Sequence, residues 1–196
     1  MAEREPVGYY SDTELAQLGL GAFGEDVLLS RKASLYSPRD IRIGNHVRID
    51  DFCLLSGSGG IEIGDYVHLA AFCDLFGVGL VTLGDFANLS ARVSIFSSSD
   101  DFSGAHMSNP MVPAEFTSVT VGPVTIGKHV ILGASTVVLP GVEVPDGCAV
   151  GAQSLVKRDL EPWNIYIGSP ARLLRPRSMA LLSDEAKLCA RDTDST

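Results

Sequence analysis

The chain has 196 residues, 45% hydrophobic and 20% charged, with a formal net charge of −9 and an isoelectric point near 4.8. That composition supplies one buried core and argues against general nucleic-acid binding, which needs a basic face. No apolar run approaches the roughly 18 residues of a membrane span, and MAEREPVGYY lacks the basic start and apolar stretch of a signal peptide, so a cytoplasmic protein without membrane insertion is expected.

In residues 1–22, SDTELAQLG places Ser11 three residues before Glu14, a capping box, with Gly19 as the stop signal. The spacing predicts a two-turn helix that closes the open end of whatever follows. From Phe23 the chain counts in sixes. An aliphatic slot recurs at Leu29, Leu35, Ile43, Ile49, Leu55, Ile63, Leu69, Leu75, Leu83, Leu89 and Ile95, then again from Ile126 through Leu132, Val138, Val144 and Val150 to Val156. Four residues after these, a small slot holds Val27, Val47, Cys53, Val67, Cys73, Ala87, Val93, Thr136, Cys148 and Ser154. Strands alternate every two residues and helices recur every 3.6, so a beat of six requires another geometry, a solenoid of stacked parallel coils.

Three hexapeptides make one triangular coil. Each side is about 20 Å long and coils stack at roughly 4.8 Å, which gives about six coils over residues 23–161. The recurrent glycines (Gly24, Gly44, Gly64, Gly84, Gly127, Gly133, Gly151) are expected where the backbone bends at corners, and the two added residues at 41–42, 61–62 and 81–82 as small bulges at one corner. Cys53, Cys73 and Cys148 fall in the small interior slot and read as small hydrophobes. His46 and His68 read as surface residues.

The beat fails once, at an inserted loop over 97–121 with the sequence SSDDFSGAHMSNPMVPAEFTSVTV around it, and long loops on rigid scaffolds are where function concentrates. Residues 162–196 leave the beat: IYIGSPARLLRPRS, then RSMALLSDEAKLCAR as a second helix, then DTDST as a disordered end. Lys157, Arg158, Arg172, Arg175 and Arg177 form a basic cluster in an acidic chain, either a solvated surface or the seat of an anionic ligand.

The hexapeptide pattern over about 23–175 and the GSPAR ending resemble the bacterial hexapeptide acyltransferases, and SDDFSG, SNPMVP, KHVILG and EPW resemble the nucleotide-aminosugar acetyltransferases of surface polysaccharide synthesis, the viosamine type. The resemblance implies an all-β fold, a left-handed parallel β-helix; physics alone would favour the opposite crossover hand. It also implies a homotrimer whose loops reach the cleft between neighbours, acetyl-CoA as cosubstrate, no metal, and transfer to the amine of a nucleotide-linked sugar. Sugar or polysaccharide O-acetylation and a non-catalytic scaffold are the alternatives. Coenzyme contacts fall by resemblance on Ala134 and Ala152, beside the pantetheine arm, and on Lys157, Arg158, Arg172 and Arg175, near the phosphates. Trp163 either stacks on the adenine or packs under the C-terminal segment. The general base is open among His129, expected near the loop's foot, His106 in the loop, and Asp100 or Asp101, as base or as orienter of a histidine. Arg48 and Arg92 are candidate donors to an acceptor's diphosphate. A zinc enzyme of the same fold would need two histidines five residues apart, whereas the gaps here are 22, 38 and 23.

Overall fold

The computed structural model describes residues 8–194. Three parallel sheets form the faces of a triangular prism. The first face stacks Ala22–Phe23, Ile41–Ile43, Ile61–Ile63, Val81–Leu83, Val124–Ile126 and Glu143–Val144. The second stacks Leu28–Leu29, Arg48–Ile49, His68–Leu69, Asn88–Leu89, Ile131–Leu132 and Ala149–Val150, and the third Ser34–Tyr36, Leu54–Ser56, Asp74–Phe76, Ser94–Phe96, Val137–Val138 and Leu155–Val156. The chain is thus a left-handed β-helix of six complete coils. A seventh strand, Asn164–Ile167, extends the second face, and Arg172–Pro176 turns back antiparallel against it.

Each slot of the six-residue beat lands in register with its copies. Ile43, Ile63, Leu83 and Ile126 are direct partners on the first face, as are Ile49, Leu69, Leu89 and Leu132 on the second. These side chains are fully or almost fully buried, so the core is one continuous apolar column. Cys53 and Cys73 fill the small slot one coil apart, with their thiols donating to the carbonyls of Ala70 and Ser90 at 3.3 and 3.2 Å. Contact with Cys53 and burial push the Cys73 thiol far up, and burial lifts Cys148 to about 11, so both stay protonated.

Four expectations need correction. The added residues at 41–42, 61–62 and 81–82 lengthen the first-face strands and bury Ile41, Ile61 and Val81; they are not bulges. The beat's glycines are not the bending residues. The left-handed backbone lies two positions later, at Asp26, His46, Tyr66, Phe86 and His129. Gly44 is required instead by close stacking, since a Cβ there would meet Asp65 Oδ1 at 2.4 Å and the Gly64 carbonyl oxygen at 2.6 Å. The N-terminal helix α1 is one turn, Asp12–Leu15, because its apolar face is spent once Leu15 is buried on the first coil; the Glu14 carboxylate accepts from both the backbone N–H and the hydroxyl of Ser11 at 2.9 Å. The C-terminal helix α2 runs Leu181–Asp194, so most of the segment read as disordered is helical.

The first corner carries a stack of rings. His46, Tyr66, Phe86 and His129 lie one per coil with centroids 4.5, 5.0 and 4.9 Å apart, and Trp163 closes the top at 6.4 Å. Side chains one residue earlier tie the coils together: Asp65 Oδ1 accepts from Asn45 N–H at 2.7 Å, and Asp85 Oδ1 from Asp65 N–H at 2.9 Å. The left-handed conformation costs a non-glycine residue about 1–2 kcal/mol, which stacked pairs at about 0.5–1.5 kcal/mol each offset in part.

Candidate active site

The inserted loop is a built arm rather than an irregular excursion. Ser98–Asp100 and Val119–Val121 pair antiparallel, with Asp100 opposite Val119. The arm is rooted at the third corner by Ser97, fully buried, whose hydroxyl accepts from Gly79 N–H at 3.1 Å. Beyond the root, the Asp101 carboxylate accepts from Ser103 N–H at 2.7 Å and His106 N–H at 2.8 Å, and stands 3.3 Å from His106 Nδ1. These bonds hold the Asp101 carboxyl far below the ordinary range. An ionised carboxylate therefore orients His106, whose ring remains half exposed. Asp100, next to this pair, is exposed at the end of its strand.

His129 does not stand at the foot of the loop. The arm returns before Val124–Ile126, and His129 lies beyond that strand, on the first corner. It is 9% exposed, stacked on Phe86, and its Nε2 is 2.8 Å from Glu185 Oε2 on α2. Glu185 also pairs with Lys128. Trp163 packs here too. It sits over Gly147, where a Cβ would meet its ring at 2.3 Å, so one face of it packs on this corner, at the top of the ring stack. Arg177 leaves the basic cluster as well: it donates to the carbonyls of His129, Gly147 and Cys148 at 2.7, 3.0 and 3.0 Å, which closes the top of this corner.

The second corner is open. Ala134 and Ala152 lie on it, exposed, on adjacent coils, linked by Gln153 N–H donating to the Ala134 carbonyl at 2.8 Å. The segment after Ile167 folds over the end of this corner, since Leu155 N–H donates to the Gly168 carbonyl and Ala171 N–H to the Leu155 carbonyl. Arg172 and Arg175 are thereby placed on the exposed terminal strand near the corner, with Lys157 and Arg158 just past Leu155–Val156. Toward the N-terminus the same corner carries exposed Phe52 and Phe72, stacked at 5.0 Å, with Lys32 over the first ring at 5.4 Å and Arg92 over the second at 5.2 Å.

Sequence reasoning missed one cluster. Asp50, 18% exposed at its side chain, gathers Tyr9 Oη at 3.0 Å, Arg48 Nε at 2.7 Å and His68 Nε2 at 2.9 Å, and those bonds keep its carboxyl low despite burial. The signal available in the sequence was that Arg48 and His68 occupy one slot on consecutive coils. Among the described residues no group of three or more His, Cys, Asp or Glu side chains is arranged to hold a metal ion, and no helix is long and apolar enough to cross a membrane.

A left-handed β-helix with one open corner and one inserted arm is the architecture of the hexapeptide-repeat acyltransferases, and the chain belongs to that family. Residues 123–156 match the hexapeptide repeat of succinyl-transferase. Over 181 residues the chain is 48% identical to the dTDP-4-amino-4,6-dideoxy-D-glucose acyltransferase of Escherichia coli, covering 92% of this chain and 94% of that protein. AntD, an N-acyltransferase from Bacillus cereus, has been solved as a serine-to-alanine variant with dTDP-4-amino-4,6-dideoxyglucose and coenzyme A; it is 42% identical, with TM-score 0.90 over 94% of this chain and 98% of that one. The same protein with dTDP and 3-hydroxybutyryl-CoA superposes with TM-score 0.91 at 41% identity, covering 95% of this chain and 98% of that one. In a further variant of AntD an aspartate ten positions after that serine is replaced.

Proposed function

We propose that the protein transfers an acyl group from acyl-CoA to the amine of a nucleotide-linked 4-amino-4,6-dideoxy sugar. The likeness to a structure that holds both an amino-sugar nucleotide and coenzyme A, over 94% of this chain, carries the reading. In the reaction the amine nitrogen attacks the thioester carbonyl, a C–N bond forms, the C–S bond breaks, the coenzyme leaves as the thiol, and the surplus amine proton passes to a base. The acyl group is left at the level of an acyl-CoA, because AntD was solved with 3-hydroxybutyryl-CoA and the closely similar E. coli protein is an acyltransferase.

The coenzyme runs along the second corner past Ala134 and Ala152, with Lys157, Arg158, Arg172 and Arg175 near its phosphates, where fixed cations suit an anionic end. Asp100 takes the proton of the acceptor ammonium, and His106, held by Asp101, stands by as the second proton acceptor. Ser90 and Asp100 have the spacing of the serine and aspartate replaced in AntD, and Ser90 lies on the second corner. Its arm and its corner are a whole face apart in one chain, about 20 Å at six residues per side. The site is therefore completed by a second copy, in a homotrimer, with the arm's exposed Phe102 (92%) and Met111 (90%) covered by the neighbour. Synthesis of a surface polysaccharide sugar in the cytoplasm is the setting that fits such an acceptor.

The test is acyl-CoA consumption against paired nucleotide-linked sugars that differ only in amine or hydroxyl at the reacting carbon, run with acetyl-CoA and 3-hydroxybutyryl-CoA. Consumption with the amine alone is expected. Consumption with the hydroxyl alone would establish the O-acylating reading, and consumption with neither would return the scaffold reading.

A further inference from the structure

The C-terminal edge of the second sheet carries one irregularity. Asn164–Ile167 and Arg172–Pro176 pair antiparallel, with Ile167 opposite Arg172 and Tyr166 opposite Leu173, yet Ile165 faces Arg175, so Leu174 is an extra residue, a β-bulge. Side chains of a regular strand alternate between faces, and residues three apart, such as 172 and 175, would point to opposite sides. The bulge cancels that alternation. Arg172 and Arg175 stand opposite Ile167 and Ile165, which share the outer face of the sheet because Tyr166 between them is buried in the core. Two exposed arginines thus lie on one face, their strand partners two residues and about 7 Å apart, and neither makes an ion pair among the described residues.

This strand is the edge of its sheet and all five of its residues are exposed, so little within it opposes a slip in register. A slip of one residue would turn both arginines to the other face. What holds it lies at its ends. Before it, Ala171 N–H donates to the Leu155 carbonyl at 2.8 Å. After it, Arg177 N–H donates to the Trp163 carbonyl at 2.8 Å, and Arg177 Nη1 donates to the carbonyls of His129, Gly147 and Cys148 on two successive coils. Arg177 is partly buried and forms no ion pair among the described residues, so backbone carbonyls alone fix this cation.

Resting on the acyl-transfer reading above, which puts Arg172 and Arg175 near the coenzyme's phosphates, we propose that Arg177 is a positioning residue for coenzyme binding. Anchored at the closed first corner, it locks the bulged register that presents both arginines on the outer face, where their planar forks of donors suit phosphate oxygens. It touches no substrate itself.

The probes are coenzyme A and pantetheine, which has the same arm and no phosphate, each titrated calorimetrically against the full-length protein. Arg177→Gln is expected to weaken coenzyme A at least about tenfold and to leave pantetheine within about twofold. Arg177→Lys, which keeps the charge but donates from a single point, should show a smaller loss of the same kind. A chain with both Arg172→Gln and Arg175→Gln should show the full split, and adding Arg177→Gln to it should cost no more than about twofold further. His129→Ala, which weakens the same corner but leaves its carbonyls in place, controls for instability and should change neither affinity. Equal losses for both probes in the Arg177 variants, or no loss, overturn the positioning role and leave the function standing, as does a loss that persists undiminished once Arg172 and Arg175 are gone. A wild-type protein that does not bind coenzyme A overturns the acyl-transfer reading, and this role with it.

Discussion

The first and second corners arise from the same repeat and have opposite fates. Both set a left-handed residue on nearly every coil, Asp26, His46, Tyr66, Phe86, His129 and Gly147 at the first and Phe52, Phe72, Arg92, Ser135 and Gln153 at the second. At the first, the rings continue upward and are sealed by Trp163, by Arg177 on three carbonyls, and by Glu185 of α2 on His129. At the second, the ring column stops at Phe72, the polar residues Arg92, Ser135 and Gln153 follow, and the surface stays open. A β-helix needs only its inward slots to stack. Its corners can therefore be committed to stability or released to ligands without disturbing the core.

That contrast ranks the expected effects of substitution. The largest lies on the arm: Asp100→Asn is expected to lower turnover by about 10² to 10⁴ with little change in acyl-CoA KM, since removing a general base costs that much. His106→Ala should cost less, and a reversed order in the two kcat values would make the Asp101-held histidine the base. On the open corner, Ala134→Trp is expected to raise the acyl-CoA KM about tenfold or more, roughly 1.4 kcal/mol of lost binding, with thermal stability unchanged. On the closed corner the pattern inverts. His129→Ala removes a buried, stacked ring and is expected to cost about 2 kcal/mol in thermal or urea unfolding while kcat stays within about threefold. Gly147→Ala should cost a similar amount, because its φ of +70° and the Trp163 ring leave no room for a Cβ. A large loss of kcat in His129→Ala without loss of stability would collapse the distinction between the corners.

The smallest effect is a pH dependence of the seal. Hydrogen bonds from Lys128 and then His129 hold the Glu185 carboxyl below its ordinary value. A carboxyl lowered in the folded state stabilises it above the unfolded pKa, about 4.3, and that contribution is lost as pH falls through the lower folded value. Trp163, the only tryptophan, touches this corner. Its emission is expected to change on acidification below about pH 4.3, and Glu185→Gln should remove that step.

The inward half of the molecule was legible in the sequence, because a six-residue beat names the buried residues directly; Ile43, Leu69 and Ile95 stand where the count places them. Outward residues were not, since their partners come from distant chain. His129 reads from the sequence as a candidate general base near the loop's foot, and only its contact with Glu185, 56 positions on, reveals that it is covered at the first corner. The glycines misled for a related reason. What they avoid is the next coil's backbone, a contact about twenty residues away, while the bends lie two positions later, mostly at ring-bearing residues. The Asp101–His106 pair was within reach as an orienter and its histidine, but the bracing of Asp101 by two backbone N–H groups depends on how the arm turns.

The central claim, that one chain's open corner works with the arm of another, is tested most directly by mixing inactive subunits. Asp100→Asn protomers keep an intact corner and Ala134→Trp protomers keep an intact arm. Co-refolded in equal amounts into the proposed trimers, they should form intact sites at about one in four interfaces, and so recover about a quarter of wild-type activity. Activity no greater than that of the two parents together would place arm and corner of each site in the same chain and contradict the account.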